Sequence, residues 1–366
     1  MPSVLILKEN LLPPSETFIL AQMGALTRFS SHLVGLEPTS KALPLPKPPL
    51  LLSRRASRTA DLRSKVYRRI AFAPLFHRKV RRLQPDLIHA HFASSGKTFL
   101  PLQKALRRPL IVTLHGGSDV PLHKPYVGIY RELAEKASLF LCVSDFIRKQ
   151  AIDAGYPAEK LVVHYIGIDR TLFRSPTEAA ATDSILFVGR LVEMKGCEYA
   201  LRAMRVVQAS RPAAEFTIIG DGPLRAGLEQ LAAELHLKCK FLGAQSPGVT
   251  REMLRRSRLL CLPSVTTSDG HHAEGLGLVL LEAQAMGVPV VSTFHAGIPE
   301  AVADGVTGTL VPERDSERLA AAILQLLEDR DLWQRYHLST QDHVDRKFDL
   351  RTQTALLEEI YADQIR

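Results

Sequence analysis

Several features that define large classes of proteins are missing from this chain of 366 residues. Its four cysteines are widely spread and form no CxxC or Cys/His cluster, so we expect buried free thiols in a reducing cytosol. No apolar run reaches the ~18 residues that a membrane span needs. The apolar part of the N-terminus is too short for a secretory signal and predicts a first strand. These absences favour a cytoplasmic globular protein.

Two cofactor motifs are also absent. The chain has no copy of the GxGxxG dinucleotide fingerprint, and no Asp-x-Asp pair sits in a loop suited to a divalent metal. His89 and His91 alternate along a predicted strand and could point to one side of it, as metal ligands do. Because no third ligand lies nearby in the sequence, we expect no metal site and no bound cofactor.

Negative charge is scarce in one stretch of this basic chain, whose formal net charge is +9. Between Ser53 and Leu83, Asp61 is the single acid among these cations: Arg54, Arg55, Arg58, Arg63, Lys65, Arg68, Arg69, Arg78, Lys79, Arg81 and Arg82. A basic amphipathic stretch of this kind binds an anionic membrane surface or forms a solvated helix face. Nucleic acid is disfavoured because no aromatic platform or DNA-binding motif accompanies the charge.

The size and composition predict two α/β domains of ordinary size. Hydrophobic residues make up 46% of the chain and charged residues 23%, as in folded globular proteins. Short apolar strands alternate with helical segments throughout, which is typical of parallel sheets. We expect a first domain at 1–174, a small polar linker from Ser175 to Asp183, and a second domain at 183–349.

The stretch from Glu274 to Ala283 is the most informative. A strand at 259–262 precedes it and a second strand at 288–292 follows it, which predicts a βαβ unit with a glycine-bearing loop at the helix entrance. Free amides at a helix N-terminus bind anions. Glu274 and Glu282 flank this entrance, although two glutamates at this spacing also occur on any solvated helix face.

A second candidate anion site follows the strand at 185–188. Arg190 and Lys195 lie between Gly189 and Gly196, at the mouth of a helix that begins near Cys197. A planar guanidinium and a compact ammonium together suit diphosphate oxygens. Gly220 and Gly222 form a further turn after the next strand.

The ordered motifs of the second half resemble those of retaining family 4 glycosyltransferases (glycosyltransferase group 1). That resemblance implies the GT-B fold, two Rossmann-like domains facing across a cleft. It places Glu274 near the donor sugar, Glu282 on the nucleotide ribose, and Arg190 with Lys195 on the diphosphate. The remaining donor-site residues it implies are Gly189, Gly220, Gly222, Gly275, Leu276, Gly277 and Leu278. Gly220 and Gly222 could equally form a tight turn, and Glu300 could contact the donor or cap a helix.

The first half resembles the same family more loosely. The segment from Ser15 to Phe18 looks like the exopolysaccharide or colanic-acid branch, in which this loop faces the acceptor, and Ser15 is a plausible helix N-cap. His115 would lie beside the donor sugar as a catalytic residue. Asp119 would contact a sugar or only cap the next helix. The family also implies that the last helix, about 350–366, packs back on the first domain.

The resemblance implies an enzyme that transfers a sugar, with retention, from a UDP- or GDP-sugar to a saccharide or polyprenyl-diphosphate-linked acceptor. Catalysis would come from His115, Glu274, Arg190 and Lys195 without a metal. Glu274 would orient the donor or act electrostatically, with nucleophilic attack as the alternative. A nucleotide-sugar epimerase and a non-catalytic binding subunit remain alternatives. The expected location is the cytoplasm, with the inner membrane face as an option. Sequence alone does not identify the sugar, base, acceptor or oligomeric state.

Overall fold

The computed structural model describes residues 1–37, 43–45, 47–53, 62–67, 73–117, 119–120, 127–175, 183–270 and 272–366. These residues form two compact units. Unit 1 comprises Met1–Gly167 together with Leu350–Arg366, and unit 2 comprises Ile168–Asp349. Residues 176–182, most of the expected linker, lie outside the described residues. The last helix is thus part of the first unit, while the segment from Ile168 packs with the second.

Unit 1 is built on a parallel sheet, which has seven strands in the described residues, in the order β3-β2-β1-β4-β5-β6-β7. The strands are β1 Ser3–Asn10, β2 Ser30–Glu37, β3 Leu50–Leu51, β4 Leu87–His91, β5 Leu110–Leu114, β6 Leu139–Cys142 and β7 Leu161–Val163. The helices are α1 Thr17–Ala25, α2 Pro74–Arg81, α3 Ala93–Thr98, α4 Leu100–Leu106, α5 Val127–Lys136, α6 Asp145–Asp153 and the C-terminal helix Leu350–Ile365. Residues 62–67 are also helical.

The central strands of unit 1 are buried, as is typical of parallel sheets whose two faces are covered by helices. Every residue of β4 and β5 is buried. The C-terminal helix closes one side of this core, where the Glu358 carboxylate accepts hydrogen bonds from the backbone amides of Thr27 (2.7 Å) and Arg28 (2.6 Å). Its Tyr361 is fully buried. Packing of the last helix on unit 1 therefore rests on both apolar burial and a carboxylate cap.

One local prediction in this unit is wrong. Ser15 does not cap α1: a 3-10 turn at Pro14–Glu16 leads directly into the helix, and Glu16 holds the N-cap position without a side-chain hydrogen bond to the helix. The proline before Ser15 favours the tight turn, because its fixed φ suits the first position of a helical turn.

Unit 2 is built on a parallel sheet of the same kind, with six strands in the part of the chain that the structure describes, in the order β10-β9-β8-β11-β12-β13. The strands are β8 Ser184–Val188, β9 Glu215–Ile219, β10 Cys239–Phe241, β11 Leu259–Leu262, β12 Val290–Thr293 and β13 Gly308–Val311. The helices, continuing the count from α6, are α7 Cys197–Ser210, α8 Arg225–Glu234, α9 Pro247–Arg256, α10 Leu278–Ala285, α11 Ile298–Ala301, α12 Ser316–Glu328 and α13 Arg330–Lys347; the C-terminal helix is α14.

Both sheets reverse their winding at one place. In unit 1 the order turns between β1 and β4, and in unit 2 between β8 and β11. In open parallel sheets, ligands bind in the crevice outside the carboxyl ends of the two strands at this switch point. Each unit therefore has one position at its sheet edge where a binding site is expected, and the two α/β Rossmann-like units predicted from the sequence are confirmed.

Close backbone packing at the switch point of unit 2 requires glycine. Gly196 has φ +65°, and a Cβ atom added there would lie 1.8 Å from the carbonyl oxygen of Pro263. The same construction at Gly220 meets the carbonyl oxygen of Gly189 at 1.8 Å. At Gly222 it meets that of Leu191 at 2.5 Å. These glycines let the loops after β8, β9 and β11 approach one another. Backbone packing alone therefore explains why positions 220 and 222 are glycine, without a contact to a ligand.

The basic stretch is described only in part, since Arg54, Arg55, Arg58, Arg68 and Arg69 lie outside the described residues. Within it, α2 buries Phe76 and Val80 and exposes its cations. Leu75 beside them is 73% exposed. Among the described residues, no helix combines the length and apolar character that crossing a membrane requires.

Candidate active site

The central feature of unit 2 is an ion pair between two residues 79 positions apart. Lys195 ends a 3-10 turn after β8, and Glu274 lies in the loop after β11, so both stand at the carboxyl ends of the switch-point strands. The Lys195 ammonium contacts Oε2 of Glu274, and the two side chains are only 14% and 12% exposed. Ser264 Oγ donates to the same oxygen at 3.4 Å. The structure thus brings together two of the predicted catalytic residues.

This pairing decides the charge state of Glu274. Burial acts to raise the pKa of the Glu274 carboxyl, but Lys195 and the hydrogen bond from Ser264 outweigh it and lower the pKa below its ordinary value. Glu274 is therefore an ionised carboxylate at neutral pH. A carboxylate that is already paired with an ammonium is a poor nucleophile, which favours an orienting role over nucleophilic attack.

Arg190 has a different environment from Lys195. It is exposed, and its guanidinium has no partner among the described residues, so five donors are available to a ligand. Lys195 packs its aliphatic stem over Gly189, where an added Cβ would meet Lys195 Cγ at 3.4 Å. The loop after β8 thus offers one available cation and one buried cation.

The helix entrance lies between the two glutamates. α10 begins at Leu278 with Gly277 as its N-cap at φ +80°, so Glu274 lies in the loop and only Glu282 lies on the helix. An added Cβ at Gly277 would meet Leu280 Cδ1 at 2.8 Å, which explains glycine there. Gly275 and Leu276 are buried beside it. The first amides of α10 are therefore presented next to the Glu274 carboxylate.

Glu282 is the second predicted donor contact. Its carboxyl has no hydrogen-bond partner among the described residues, and burial raises its pKa to about 7 although Arg251 acts to lower it. A half-buried carboxyl without a hydrogen-bond donor is unusual in a folded protein. It can accept hydrogen bonds from the hydroxyls of a ligand. Glu300 lies in the first turn of the short helix α11.

Sequence reasoning missed two residues that hold Glu274. His295, 1% exposed, accepts a hydrogen bond at Nε2 from the Glu274 amide (3.0 Å). Its Nδ1 bonds Glu313 Oε1 at 2.6 Å. The available signal was the position of His295, which is the second residue after β12 at the carboxyl edge of the sheet. Glu313 follows β13 in the same way.

In unit 1, His115 lies at the carboxyl end of β5. Its Nε2 is 3.1 Å from Nδ1 of His91, at the end of β4. Phe92 packs on it with ring centroids 4.5 Å apart. Burial and the nearby Lys8 lower the pKa of His115 to about 3, so the ring is neutral. His115 belongs to unit 1 and the other three predicted catalytic residues to unit 2.

Asp119 has a structural role that differs from both alternatives. It is 0% exposed, and its two oxygens accept from the backbone amides of Ala93 (2.8 Å) and His115 (2.9 Å). It therefore caps α3, which precedes it in the chain, and not the next helix. Burial raises its pKa to about 7. Its oxygens are already occupied, which leaves little capacity for a sugar hydroxyl.

The two strand histidines are held within unit 1. His89 bonds the Tyr361 hydroxyl at Nδ1 and the Thr113 hydroxyl at Nε2, each at 2.6 Å. Its pKa falls to about 3 through burial. His91 Nε2 is buried without a hydrogen-bond partner. No group of three or more His, Cys, Asp or Glu among the described residues could hold a metal ion.

An ion pair that the sequence did not reveal lies at the end of β1. Lys8 Nζ is 2.9 Å from Glu16 Oε1, with the side chains 13% and 12% exposed. The ammonium also lies 3.9 Å from the centroid of the Phe92 ring. Glu16 belongs to the segment that resembles the exopolysaccharide branch, so the resemblance pointed to the position but not to its partner.

Comparisons with known proteins assign the family. The family "Glycosyltransferase Family 4" matches residues 30–172, and the family "Glycosyl transferases group 1" matches residues 169–341. Together they account for most of the chain. The chain therefore belongs to the group 1, family 4 glycosyltransferases, as the order of its motifs predicted.

Two of the curated relatives are named for the biosynthesis of a polysaccharide. The chain is 36% identical over 255 residues to WcaL of Escherichia coli (strain K12), named as a colanic acid biosynthesis glycosyltransferase; the match covers 67% of this chain and 63% of that protein. It is 34% identical over 249 residues to the amylovoran biosynthesis glycosyltransferase AmsK of Erwinia amylovora, covering 66% and 61%. The chain thus matches about six tenths of the length of these relatives.

Solved structures share the whole fold at low identity. Anabaena HepE in complex with UDP and glucose has a TM-score of 0.78 and 21% identity, with 99% of each chain covered. The sucrose-phosphate synthase of Thermosynechococcus elongatus has a TM-score of 0.75 and 18% identity, covering 99% and 98%. These similarities establish the GT-B fold for this chain.

Proposed function

We propose that this protein transfers a sugar from a UDP- or GDP-sugar to a saccharide or lipid-linked saccharide acceptor in polysaccharide biosynthesis, with retention at the anomeric carbon. The observation that carries the proposal is the buried Lys195–Glu274 pair at the switch point of unit 2, beside the entrance of α10. Arg190, whose guanidinium has no partner among the described residues, lies in the loop after β8 with Lys195, and Glu282 lies on α10.

The chemistry of the leaving group explains this arrangement. As the glycosidic bond breaks, negative charge grows on the nucleotide diphosphate and positive charge on the sugar ring. Fixed cations and helix amides at the phosphate stabilise this transition state more than the ground state. In the proposal Arg190, Lys195 and the first amides of α10 take that role. The loss of one such donor typically slows a reaction by about 10²–10³-fold.

The two glutamates take separate roles in the proposal. Glu274, ionised and fixed by Lys195, orients the donor sugar and balances the positive charge that develops on its ring. Glu282 accepts hydrogen bonds from the ribose hydroxyls. No protein nucleophile is assigned: the acceptor attacks from the face that the diphosphate leaves, and the departing phosphate takes the acceptor proton. His115 remains a candidate catalytic residue of unit 1, as the family resemblance implies, and the proposal requires no metal.

The choice of donor and acceptor rests on the relatives. HepE was solved with UDP and glucose, and a mannosyltransferase of Corynebacterium glutamicum, 37% identical over 140 residues, is named as GDP-mannose-dependent. The names of WcaL and AmsK refer to colanic acid and amylovoran. A saccharide acceptor and a UDP- or GDP-linked donor follow for this chain as proposals.

Calorimetric binding of UDP, GDP and ADP, each with and without Mg²⁺, tests the donor site. We expect one nucleotide to bind without metal, and binding to weaken at least tenfold in Glu282→Ala. Glu328→Ala, an exposed glutamate of α12, is the matched control and should bind as wild type. If none of the three nucleotides binds, the proposed donor site is wrong and the function with it.

Product analysis separates transfer from its alternatives. Wild-type protein, a nucleotide-sugar and a saccharide acceptor should give a glycosylated acceptor with the anomeric configuration of the donor. Conversion of the donor to an epimer without acceptor would identify an epimerase. Tight donor binding without either product would identify a non-catalytic binding subunit.

A membrane location is part of the proposal for a lipid-linked acceptor. It is supported by the exposed cations of α2 beside the exposed Leu75, since a basic amphipathic surface is attracted to anionic lipid. We expect vesicles with phosphatidylserine to retain the protein and Lys79→Gln/Arg82→Gln to reduce retention. The control Arg131→Gln/Arg351→Gln removes the same charge elsewhere in unit 1. Equal retention of the two double variants would contradict a specific role for α2.

A further inference from the structure

The loop after β12 holds the Glu274 peptide from both sides. The Glu274 amide donates to His295 Nε2 at 3.0 Å, and its carbonyl accepts from the Gly297 amide at 3.2 Å. Between these two residues Ala296 has φ +48°, a left-handed conformation that is uncommon for alanine. Ala296 is thus held in an unfavourable backbone conformation, and this conformation allows His295 and Gly297 to bond the Glu274 main chain.

These contacts determine the protonation of His295. A backbone N–H can only donate, so the Nε2 that faces it carries no proton. The proton of the neutral ring is therefore on Nδ1, which donates to Glu313 Oε1 at 2.6 Å. Glu313 in turn accepts from the amide and hydroxyl of Thr266, at 2.8 and 3.2 Å. A chain of hydrogen bonds thus runs from Thr266 through Glu313 and His295 to the Glu274 main chain.

We propose that His295, oriented by Glu313, is a positioning residue that fixes the Glu274 main chain and thereby the Glu274 carboxylate on Lys195. This inference rests on the proposed function, in which that carboxylate orients the donor sugar. In this role His295 acts through its hydrogen bond with the Glu274 amide and not through a contact with the substrate. Its contribution is to hold the Glu274 carboxylate in the position that the proposed reaction needs.

The arrangement has a consequence in acid. A protonated ring carries N–H groups on both nitrogens, so Nε2 would then face the Glu274 N–H with a proton of its own, and the contact would be lost. The charged groups around the ring are Glu313, Glu274 and Lys195. Burial lowers the pKa of His295 despite the two carboxylates. The contact is therefore intact at neutral pH and is lost only in more acidic solution.

A matched pair of substitutions tests the proposal. Gln at 295 can place its amide oxygen near the position of Nε2 and keep an acceptor for Glu274, whereas Asn reaches only the position of Nδ1. We expect His295→Asn to lower kcat by about tenfold or more while the nucleotide Kd changes less than twofold, and His295→Gln to keep kcat within about threefold. In His295→Gln the loss of kcat at acidic pH should also shift or disappear. Equal kcat in both variants would overturn the proposal.

A second measurement does not depend on activity. Hydrogen exchange of the Glu274 amide should be slow in wild type and His295→Gln and faster by tenfold or more in His295→Asn. Nitrogen NMR of wild type should show His295 with its proton on Nδ1. His337→Asn is the control for removing a ring elsewhere in unit 2 and should leave the Glu274 amide protected. A proton on Nε2, or unchanged exchange in His295→Asn, refutes the inference even if the protein proves not to be a transferase.

Discussion

Removing the charge of Lys195 is the sharpest test of the site. Lys195→Met keeps the aliphatic stem and takes away the ammonium, which leaves the Glu274 carboxylate 12% exposed with the 3.4 Å contact from Ser264. An uncompensated buried charge typically costs about 3–5 kcal/mol of stability. We expect Lys195→Met to lower the free energy of unfolding of unit 2 by about 3 kcal/mol, and Glu274→Gln by a similar amount.

The double variant separates the pair from its parts. If the cost of each single change comes from the partner left behind, Lys195→Met/Glu274→Gln removes both charges and should lose about 3 kcal/mol, not about 6 kcal/mol. The coupling free energy should thus be at least about 2 kcal/mol. Sugar transfer should not recover in the double variant, because both groups are needed in the proposed mechanism. Additive single losses would refute the reasoning.

The protein carries its own probe for this measurement. Trp333 is the single tryptophan of the chain and lies in unit 2, so its fluorescence in urea follows the unfolding of the unit that contains the pair. The pH dependence adds a check of sign. In wild type the lowered pKa of Glu274 keeps the stabilisation present above about pH 4.5. In Lys195→Met burial should raise that pKa, so the variant loses stability as pH rises from 4.5. The gap between the two proteins should widen from pH 4 to pH 7; a constant gap would contradict the assignment.

Three further predictions concern the stability of the two units. Gly196→Ala should lower the stability of unit 2 in urea unfolding by at least about 3 kcal/mol, or prevent folding. The control is Gly227→Ala on α8, where an added Cβ meets nothing within 4 Å. It should be neutral or stabilise by up to about 1 kcal/mol. Asp119→Ala leaves two buried amides without an acceptor and should cost unit 1 about 2–5 kcal/mol by circular dichroism; a loss below 1 kcal/mol would exclude its capping role. The pKa of the His89 ring falls to about 3, so the ring should show no NMR titration between pH 8 and pH 5. In the unfolded chain the same ring takes up a proton near pH 6.5, so His89 should lower the free energy of unfolding below that pH by up to about 1.4 kcal/mol per pH unit. His89→Gln should reduce this slope.

Local sequence signals predicted most of the architecture. Apolar runs of strand length and glycines at helix ends act over a few residues, so the βαβ unit around Glu274 could be predicted from its own segment: β11 at Leu259–Leu262, α10 from Leu278, and β12 at Val290–Thr293. The same holds for the last helix at Leu350–Ile365. The Ser15 prediction failed because a 3-10 turn and a helix start share the same local preferences.

The candidate site was predicted as a set of residues but not as a set of contacts. Arg190, Lys195 and Glu282 were recognised from their motifs. The sequence offered no basis for pairing Lys195 with Glu274, or for the difference between the buried Lys195 and the exposed Arg190. His295 stood outside every motif considered, although it bonds the Glu274 amide.

The amino-acid sequence by itself determined the α/β class, the repeated strand–helix order and the family, because hydrophobic period, glycine conformation and motif order are properties of short segments. Only the tertiary structure decided which distant groups meet. Strand order brings the ends of β8 and β11 to one switch point, so that Lys195 finds Glu274. It likewise brings Asp119 to an amide 26 residues before it, at Ala93. Burial at those meeting points then fixes the charge of each group, because desolvation and a neighbouring ion act over distances that sequence separation does not measure.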